Sequence, residues 1–186
     1  MNNLNQLPIP SFKRLTKLRY DCLNFSISKD ETRRPLFNTI NHNERLLALC
    51  STNGYCATIL KSQYDTELKD ISINVKTYQK NLSNFPRIEL FNLSDKKDLN
   101  SITVNFHKHL YTKNTKMPTR LYLSHEKGLS FEPSSDDILC LNAELIKPLI
   151  GHQFEVRYTS ALKPIYVLLN KSSEADYMVI MPMKKD

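Results

Sequence analysis

From Arg34 to the end of the chain, apolar side chains come in runs of a few residues separated by turn-forming clusters. Such runs are too short for packed helices and match the length of strands. Leu36, Ile40, Leu46, Leu47, Leu49, Cys50, Ile59 and Leu60 read as two strands followed by a third over 55–61. Asn41-His42-Asn43-Glu44 supplies a hairpin turn, and Asn53-Gly54 a second turn or a bulge. Ile71, Ile73 and Val75 alternate as in a strand. Further strands are predicted over 87–93, 101–108 and 110–113, with Asp95-Lys96-Lys97-Asp98 as a solvated turn. Segments 121–123 and 129–131 form a hairpin around Glu126-Lys127-Gly128, and 133–137 is the segment most like a domain linker. Strands over 138–141, 154–158, 164–169 and 177–181 complete the set.

Helices are few. Over 11–28, Phe12, Leu15, Leu18, Cys22 and Phe25 recur at spacings of three and four and share one face, with Pro10-Ser11 as a start signal. Lys13, Arg14, Lys17 and Arg19 fall mostly on the other faces, so the helix has a basic outer side. A short helix is predicted over 77–82. Another is predicted over 143–150, capped by Asn142 and stopped by Gly151, although Pro148 opposes it. Helices and strands in this order predict an α+β fold of recurring units, each a helix with antiparallel strands.

The 186 residues include only 3 Gly and no Trp, which leaves no glycine-rich phosphate loop. No run of about 18 apolar residues is present, so no membrane span is predicted. The polar stretch 1–10 does not read as a signal peptide, and a cytoplasmic location is expected. Cys22, Cys50, Cys56 and Cys140 form no C-x-x-C pair and read as reduced structural thiols. Cys50 and Cys56 are placed on one strand, roughly 20 Å apart and beyond disulfide reach.

The net charge of +7 suits an anionic partner, nucleic acid above all, and equally suits plain solubility. His107 and His109, two apart on a predicted strand, are the one metal-like pair, but no third ligand is evident. No catalytic constellation, metal or cofactor is predicted, and the chain reads as a binding protein rather than an enzyme. The 9 Tyr and 8 Phe leave room for a stand-alone nucleic-acid binder that stacks on bases, although most sit at apolar-periodic positions.

Two segments carry a resemblance to a known family. The first is Glu31-Thr32-Arg33-Arg34-Pro35-Leu36-Phe37 followed by Ala48-Leu49-Cys50-Ser51-Thr52-Asn53-Gly54-Tyr55. It resembles the middle domain of the bacterial sliding clamp, the β subunit of DNA polymerase III. The second is the closing run Tyr177-Met178-Val179-Ile180-Met181-Pro182-Met183-Lys184-Lys185, which resembles the clamp's terminal strand. The resemblance implies a middle-domain-like part over 8–119 and a final-domain-like part over 120–186 without its opening strand and helix. A first domain is not represented.

The resemblance further implies that the two motifs meet and build a pocket for the short clamp-binding peptides of polymerases or the clamp loader. Thr52, Gly54 and Tyr55 would form one wall. Val179, Ile180, Met181, Pro182 and Met183 would form the other, with Pro118 near the link between the parts. Asn53 stands where the family usually has Asp, and Cys56 and Ala57 stand where it usually has Arg and Leu, so peptide preference is open. By the same resemblance Lys13, Arg14, Lys17, Arg19, Lys76 and Lys80 would contact double-stranded DNA non-specifically. A monomer or a non-standard oligomer is expected. Two plainer readings stand beside these: Met178, Ile180 and Met183 as core residues, and the lysines as a solvated face. A further alternative keeps the pocket and makes the chain a decoy or regulator of a host clamp, as a phage or mobile element would use.

Overall fold

The computed structural model describes residues 15–28, 35–63, 71–74, 80–82, 87–110, 120–170 and 173–184. Among them are one α-helix, α1 (Lys17–Phe25), and twelve strands. The strands are β1 (Thr39–Asn43), β2 (Ala48–Thr52), β3 (Cys56–Leu60), β4 (Ile71–Asn74), β5 (Lys80–Leu82), β6 (Asn100–Asn105), β7 (Arg120–Ser124), β8 (Gly128–Ser130), β9 (Asp137–Asn142), β10 (Gln153–Tyr158), β11 (Ile165–Leu168) and β12 (Asp176–Ile180). Nine form one sheet in the order β5-β4-β1-β2-β3-β12-β11-β10-β6, and three form a second in the order β8-β7-β9. All pairings are antiparallel, and the fold is α+β as expected.

The middle of the large sheet is buried on both faces. Leu49 of β2, Cys56 and Leu60 of β3, and Met178 and Ile180 of β12 join one apolar cluster with Cys22 and Leu23 of α1 and Leu121, Leu139 and Leu141 of the small sheet. Their alternating neighbours Ala48, Cys50, Ala57, Ile59, Tyr177 and Val179 join a second cluster with Ile88 and Leu93. One face therefore carries α1 and the small sheet, and the other carries segment 88–95. Two-sided burial removes the apolar–polar alternation of a half-solvated strand, and β1, β2, β3 and β12 are buried at every position.

Strand hydroxyls hold α1 down. Ser51 Oγ donates to the Leu23 carbonyl at 2.7 Å and Thr58 Oγ1 to the Cys22 carbonyl at 2.9 Å. These carbonyls belong to the last turn of the helix, and that of Cys22 also accepts from the Ser26 amide at 3.0 Å. At the other end Thr16 caps the helix, its side chain accepting from the Arg19 amide.

Several expectations are corrected. The helix predicted over 11–28 is described only as Lys17–Phe25, with 11–14 outside the described residues. Asn41 to Asn43 lie in β1, and the turn falls over 44–47 because the Asn43 side chain accepts from the Leu46 amide at 3.0 Å. Cys50 and Cys56 are on neighbouring strands and on opposite faces, not on one strand. Residues 80–82 of the helix predicted over 77–82 are strand β5, and 77–79 lie outside the described residues.

The strand predicted over 87–93 is instead a pair of 3-10 turns, Ile88–Phe91 and Leu93–Asp95. Ile88 and Leu93 are buried while Leu90 between them is exposed, a spacing that a strand face does not give. Lys108–Leu110 is likewise a 3-10 turn, and 111–113 lie outside the described residues. The helix predicted over 143–150 is a 3-10 helix, Ala143–Leu149, with Asn142 accepting from the Glu144 amide at 3.0 Å. Pro148 inside it cannot donate an α-helical bond. Loop 133–137 joins β8 to β9, both of which flank β7, so it links strands of one sheet rather than domains. The large sheet is continuous across position 119/120, with β3 paired to β12 and β6 to β10.

Candidate functional site

The turn between β2 and β3 is built by two short polar side chains. Asn53 Oδ1 accepts from the amides of Tyr55 at 2.9 Å and Cys56 at 3.0 Å. Thr52 Oγ1 donates to the Cys56 carbonyl at 2.8 Å and accepts from the Gly54 amide at 3.1 Å. Asparagine in this role folds the chain locally without help from the core. Gly54 has φ of 90°, where a side chain would be strained.

Chain-distant segments converge at this turn. The Met181 amide donates to the Tyr55 carbonyl at 3.0 Å, continuing the β3–β12 ladder by one bond. Both residues line a cavity of about 190 Å³. Thr52, Gly54, Tyr55, Val179 and Met181, all expected at the site, line it. Cys56, Ala57, Phe37, Arg87, Ile88 and Phe91 complete the lining. Arg87 is its one charged residue, and the rest of the wall is largely apolar.

The wall at 87–91 is fixed from beneath by Tyr177. Its hydroxyl accepts from the Leu93 amide at 3.0 Å and donates to the Phe91 carbonyl at 3.3 Å. The Tyr177 ring is fully buried, and burial pushes its phenol upward. Burial likewise pushes the Cys56 thiol up to about 11, against the opposing hydrogen bonds to Ser26 and Asn53. At neutral pH Cys56 is therefore a thiol, and its side chain joins the cluster under α1, on the face of β3 opposite Ala57.

The other expected residues lie elsewhere. Ile180 points to the opposite face of β12, into the cluster under α1. Pro182 and Met183 are half-buried but do not line the cavity. The Met183 amide donates to the Cys140 carbonyl at 2.8 Å, so the tail crosses to the small sheet. Pro118 lies outside the described residues.

Of the expected DNA-contacting residues, Lys13, Arg14 and Lys76 lie outside the described residues, and Lys80 is placed only by its backbone in β5. Lys17 is 88% exposed and pairs with Asp21 at 2.5 Å. Arg19 is mostly buried, and its Nε donates to Asp176 Oδ2 at 2.6 Å. Asp176 is fully buried and also accepts from the Ser62 amide at 3.1 Å and hydroxyl at 2.7 Å. Arg19 thus anchors α1 to the start of β12. A more open cleft of about 480 Å³ runs between α1 and segment 147–152, with Lys17, Lys147 and His152 on its walls.

His107 and His109 follow β6 rather than lying within it, and their rings stack at 5.4 Å. No group of three or more metal-ligating side chains occurs among the described residues. All four cysteines are buried and free. No helix among the described residues is long and apolar enough to cross a membrane.

Phe37, Arg87, Ile88 and Phe91 were not signalled by the sequence, because nothing local marks a residue as the far wall of a cavity made by tertiary packing.

No protein-family model and no curated protein matches the sequence. Solved structures do match. The Caulobacter crescentus β sliding clamp, with polyethylene glycol bound at a candidate β-motif tethering region, aligns with a TM-score of 0.65 at 14% identity, covering 90% of this chain and 62% of that one. DNA polymerase III subunit beta from Borrelia burgdorferi, in complex with a natural product, aligns with a TM-score of 0.62 at 15% identity, covering 91% and 62%. The DNA polymerase sliding clamp of Bacillus subtilis gives 0.56 at 15% identity, with the same coverage of 91% and 62%. The chain has the fold of these clamps and spans about 62% of their length.

Proposed function

We propose that this chain is a clamp-like accessory protein of DNA replication or repair that takes short apolar peptide segments of a polymerase or clamp loader. The observation that carries the reading is the meeting of Thr52, Gly54 and Tyr55 with Val179 and Met181 around one cavity. These segments are distant in sequence and are joined by the bond from Met181 to Tyr55. The resemblance to sliding clamps expected that meeting, and the likeness to solved clamps supports the same fold.

The physics suits an extended peptide with Leu or Phe anchors. A pliable Met side chain adapts to different anchors, and each anchor buried contributes about 1.5–3 kcal/mol. In this reading the chain divides into clamp-like parts over 8–119 and 120–186. Non-specific contact with duplex DNA belongs to the same reading, supported by the net charge of +7 and by Lys17 on the outer side of α1.

The test is a fluorescence-anisotropy titration of the full chain with a labelled peptide carrying adjacent Leu and Phe, and with its Ala-Ala counterpart. Saturable binding that weakens at least about tenfold for the Ala-Ala peptide is expected. Equal binding of both peptides, or none of either, refutes the reading.

A further inference from the structure

We infer that the cleft between α1 and segment 147–152 takes an unstacked base of single-stranded DNA, with the neighbouring phosphates on the lysines at its rim. The inference rests on the DNA contact proposed above and adds the form of the DNA. The peptide cavity plays no part in it.

The cleft, of about 480 Å³, joins an apolar floor to a basic rim. Leu18, Phe25 and Ile150 pack against the main core and leave part of their surface in the cleft, beside Pro148. Lys17 stands on one wall and Lys147 on the other, and both are exposed. Lys108 reaches the wall formed by 150–152, its Cε lying 3.9 Å from the point where a side chain on Gly151 would begin. Asp21 is the one acidic residue of the lining, and it meets Lys17 Nζ at 2.5 Å in a surface pair that counts for little against a phosphate.

Both walls are fixed. The last turn of α1 is tied to the sheet through Ser51 and Thr58. On the facing wall the Gly151 amide donates to the Phe106 carbonyl at 2.7 Å, and the Phe106 amide to the His152 carbonyl at 2.9 Å. The His152 ring lies 5.7 Å from that of Phe154. A ligand entering between walls already in place incurs little ordering cost in the protein.

The floor separates the two forms of DNA. A duplex keeps its bases stacked inside and offers phosphates, which suit the lysines but gain nothing from Leu18, Phe25, Pro148 and Ile150. A single strand offers both surfaces that the cleft matches: base faces for the apolar floor and the rings of Phe25 and His152, and phosphates for the rim. A polyanion without apolar parts satisfies the rim alone. The cleft volume falls within the roughly 300–1,000 Å³ of sites that enclose small ligands.

The experiment uses the full chain at fixed salt and three labelled probes. These are an oligothymidine of about ten nucleotides, an abasic strand of the same length and charge, and a duplex with the same number of phosphates. The protein is compared with Phe25→Leu, His152→Ala and Lys147→Gln, each checked for an unchanged melting curve.

The wild-type chain is expected to bind oligothymidine at least about tenfold more tightly than the abasic strand or the duplex. Phe25→Leu and His152→Ala are each expected to shrink that preference at least about threefold while binding the abasic strand within about twofold of wild type. Lys147→Gln is expected to weaken both single strands and to lower the salt slope for oligothymidine by about 0.7. Equal binding of oligothymidine and the abasic strand, or tighter binding of the duplex, overturns the base site and leaves the duplex contact standing. A preference for oligothymidine that survives both ring variants overturns the assignment to this cleft. Absence of binding by every probe overturns the base site and the DNA contact together.

Discussion

The Met181 amide lies 3.0 Å from the Tyr55 carbonyl, and this bond fastens the end of β12 to the β2–β3 turn, joining two residues that line the cavity. The cavity therefore depends on a turn, a strand end and the 88–91 segment keeping their mutual positions, and each can be perturbed separately.

The turn depends on Asn53, whose side chain serves two amides. Asn53→Ala leaves both without that acceptor and is expected to lower stability by about 1–2 kcal/mol in urea unfolding. Asn53→Asp keeps the acceptor and is expected to cost less. Equal stability of Asn53→Ala and wild type would show that the turn is held by other means.

The 88–91 wall depends on one hydroxyl. Tyr177→Phe keeps the ring in its edge contact with Tyr166 at 6.0 Å but strands the Leu93 amide. A loss of about 1–3 kcal/mol is expected, together with weaker peptide binding at temperatures where the variant is fully folded. Full stability with unaltered binding would mean that Tyr177 does not position this wall.

Two basic residues on α1 have different work. Arg19→Ala strips a buried carboxylate of its cation and is expected to cost about 3–5 kcal/mol. Lys17→Ala removes an exposed pair and is expected to leave the unfolding midpoint unmoved. On the proposed contact with duplex DNA the order is expected to reverse, with Lys17→Ala reducing the salt slope of binding by about 0.9 and folded Arg19→Ala leaving it unchanged. Equal effects of the two variants on stability would contradict the assignment of Arg19.

The strands differ in how plainly the sequence shows them. β10 is readable because Phe154, Val156 and Tyr158 are buried while Gln153, Glu155 and Arg157 are not, the alternation of a strand with one covered face. β1 to β3 have no such alternation, since both faces are covered, and only their turn residues betray them. Those turn residues misplace β1's end because Asn43 caps the turn from within the strand. Apolar residues over 87–93 suggest a strand, yet they pack at 3-10 spacing onto the second cluster. At the site, the Asn53-Gly54 turn and the Val179–Met181 wall are legible, whereas Phe37, Arg87, Ile88 and Phe91 arrive through packing that no local pattern encodes.

The buried thiols give stability a definite alkaline dependence. Burial pushes Cys22 from its ordinary value of 9.0 up to about 12, and Cys56 up to about 11. Their folded values exceed the unfolded ones, so the stability they allow is fully present below pH 9 and is lost as pH rises toward 11–12. Across that range the unfolded chain releases protons that the native chain keeps, at up to about 1.4 kcal/mol per pH unit for each thiol. Urea midpoints are expected to be lower at pH 10.5 than at pH 8.5, with the native thiols unreactive toward a disulfide reagent at pH 8. Rapid labelling of the folded chain would contradict this burial.

Met181 lines the cavity, whereas Met183 is tied to Cys140 beside the small sheet and does not. Peptide titration of Met181→Ala against Met183→Ala therefore tests the central claim most directly. The account predicts binding weakened by about tenfold in Met181→Ala and changed by less than about twofold in Met183→Ala. Wild-type affinity in Met181→Ala, or a larger loss in Met183→Ala, would contradict it.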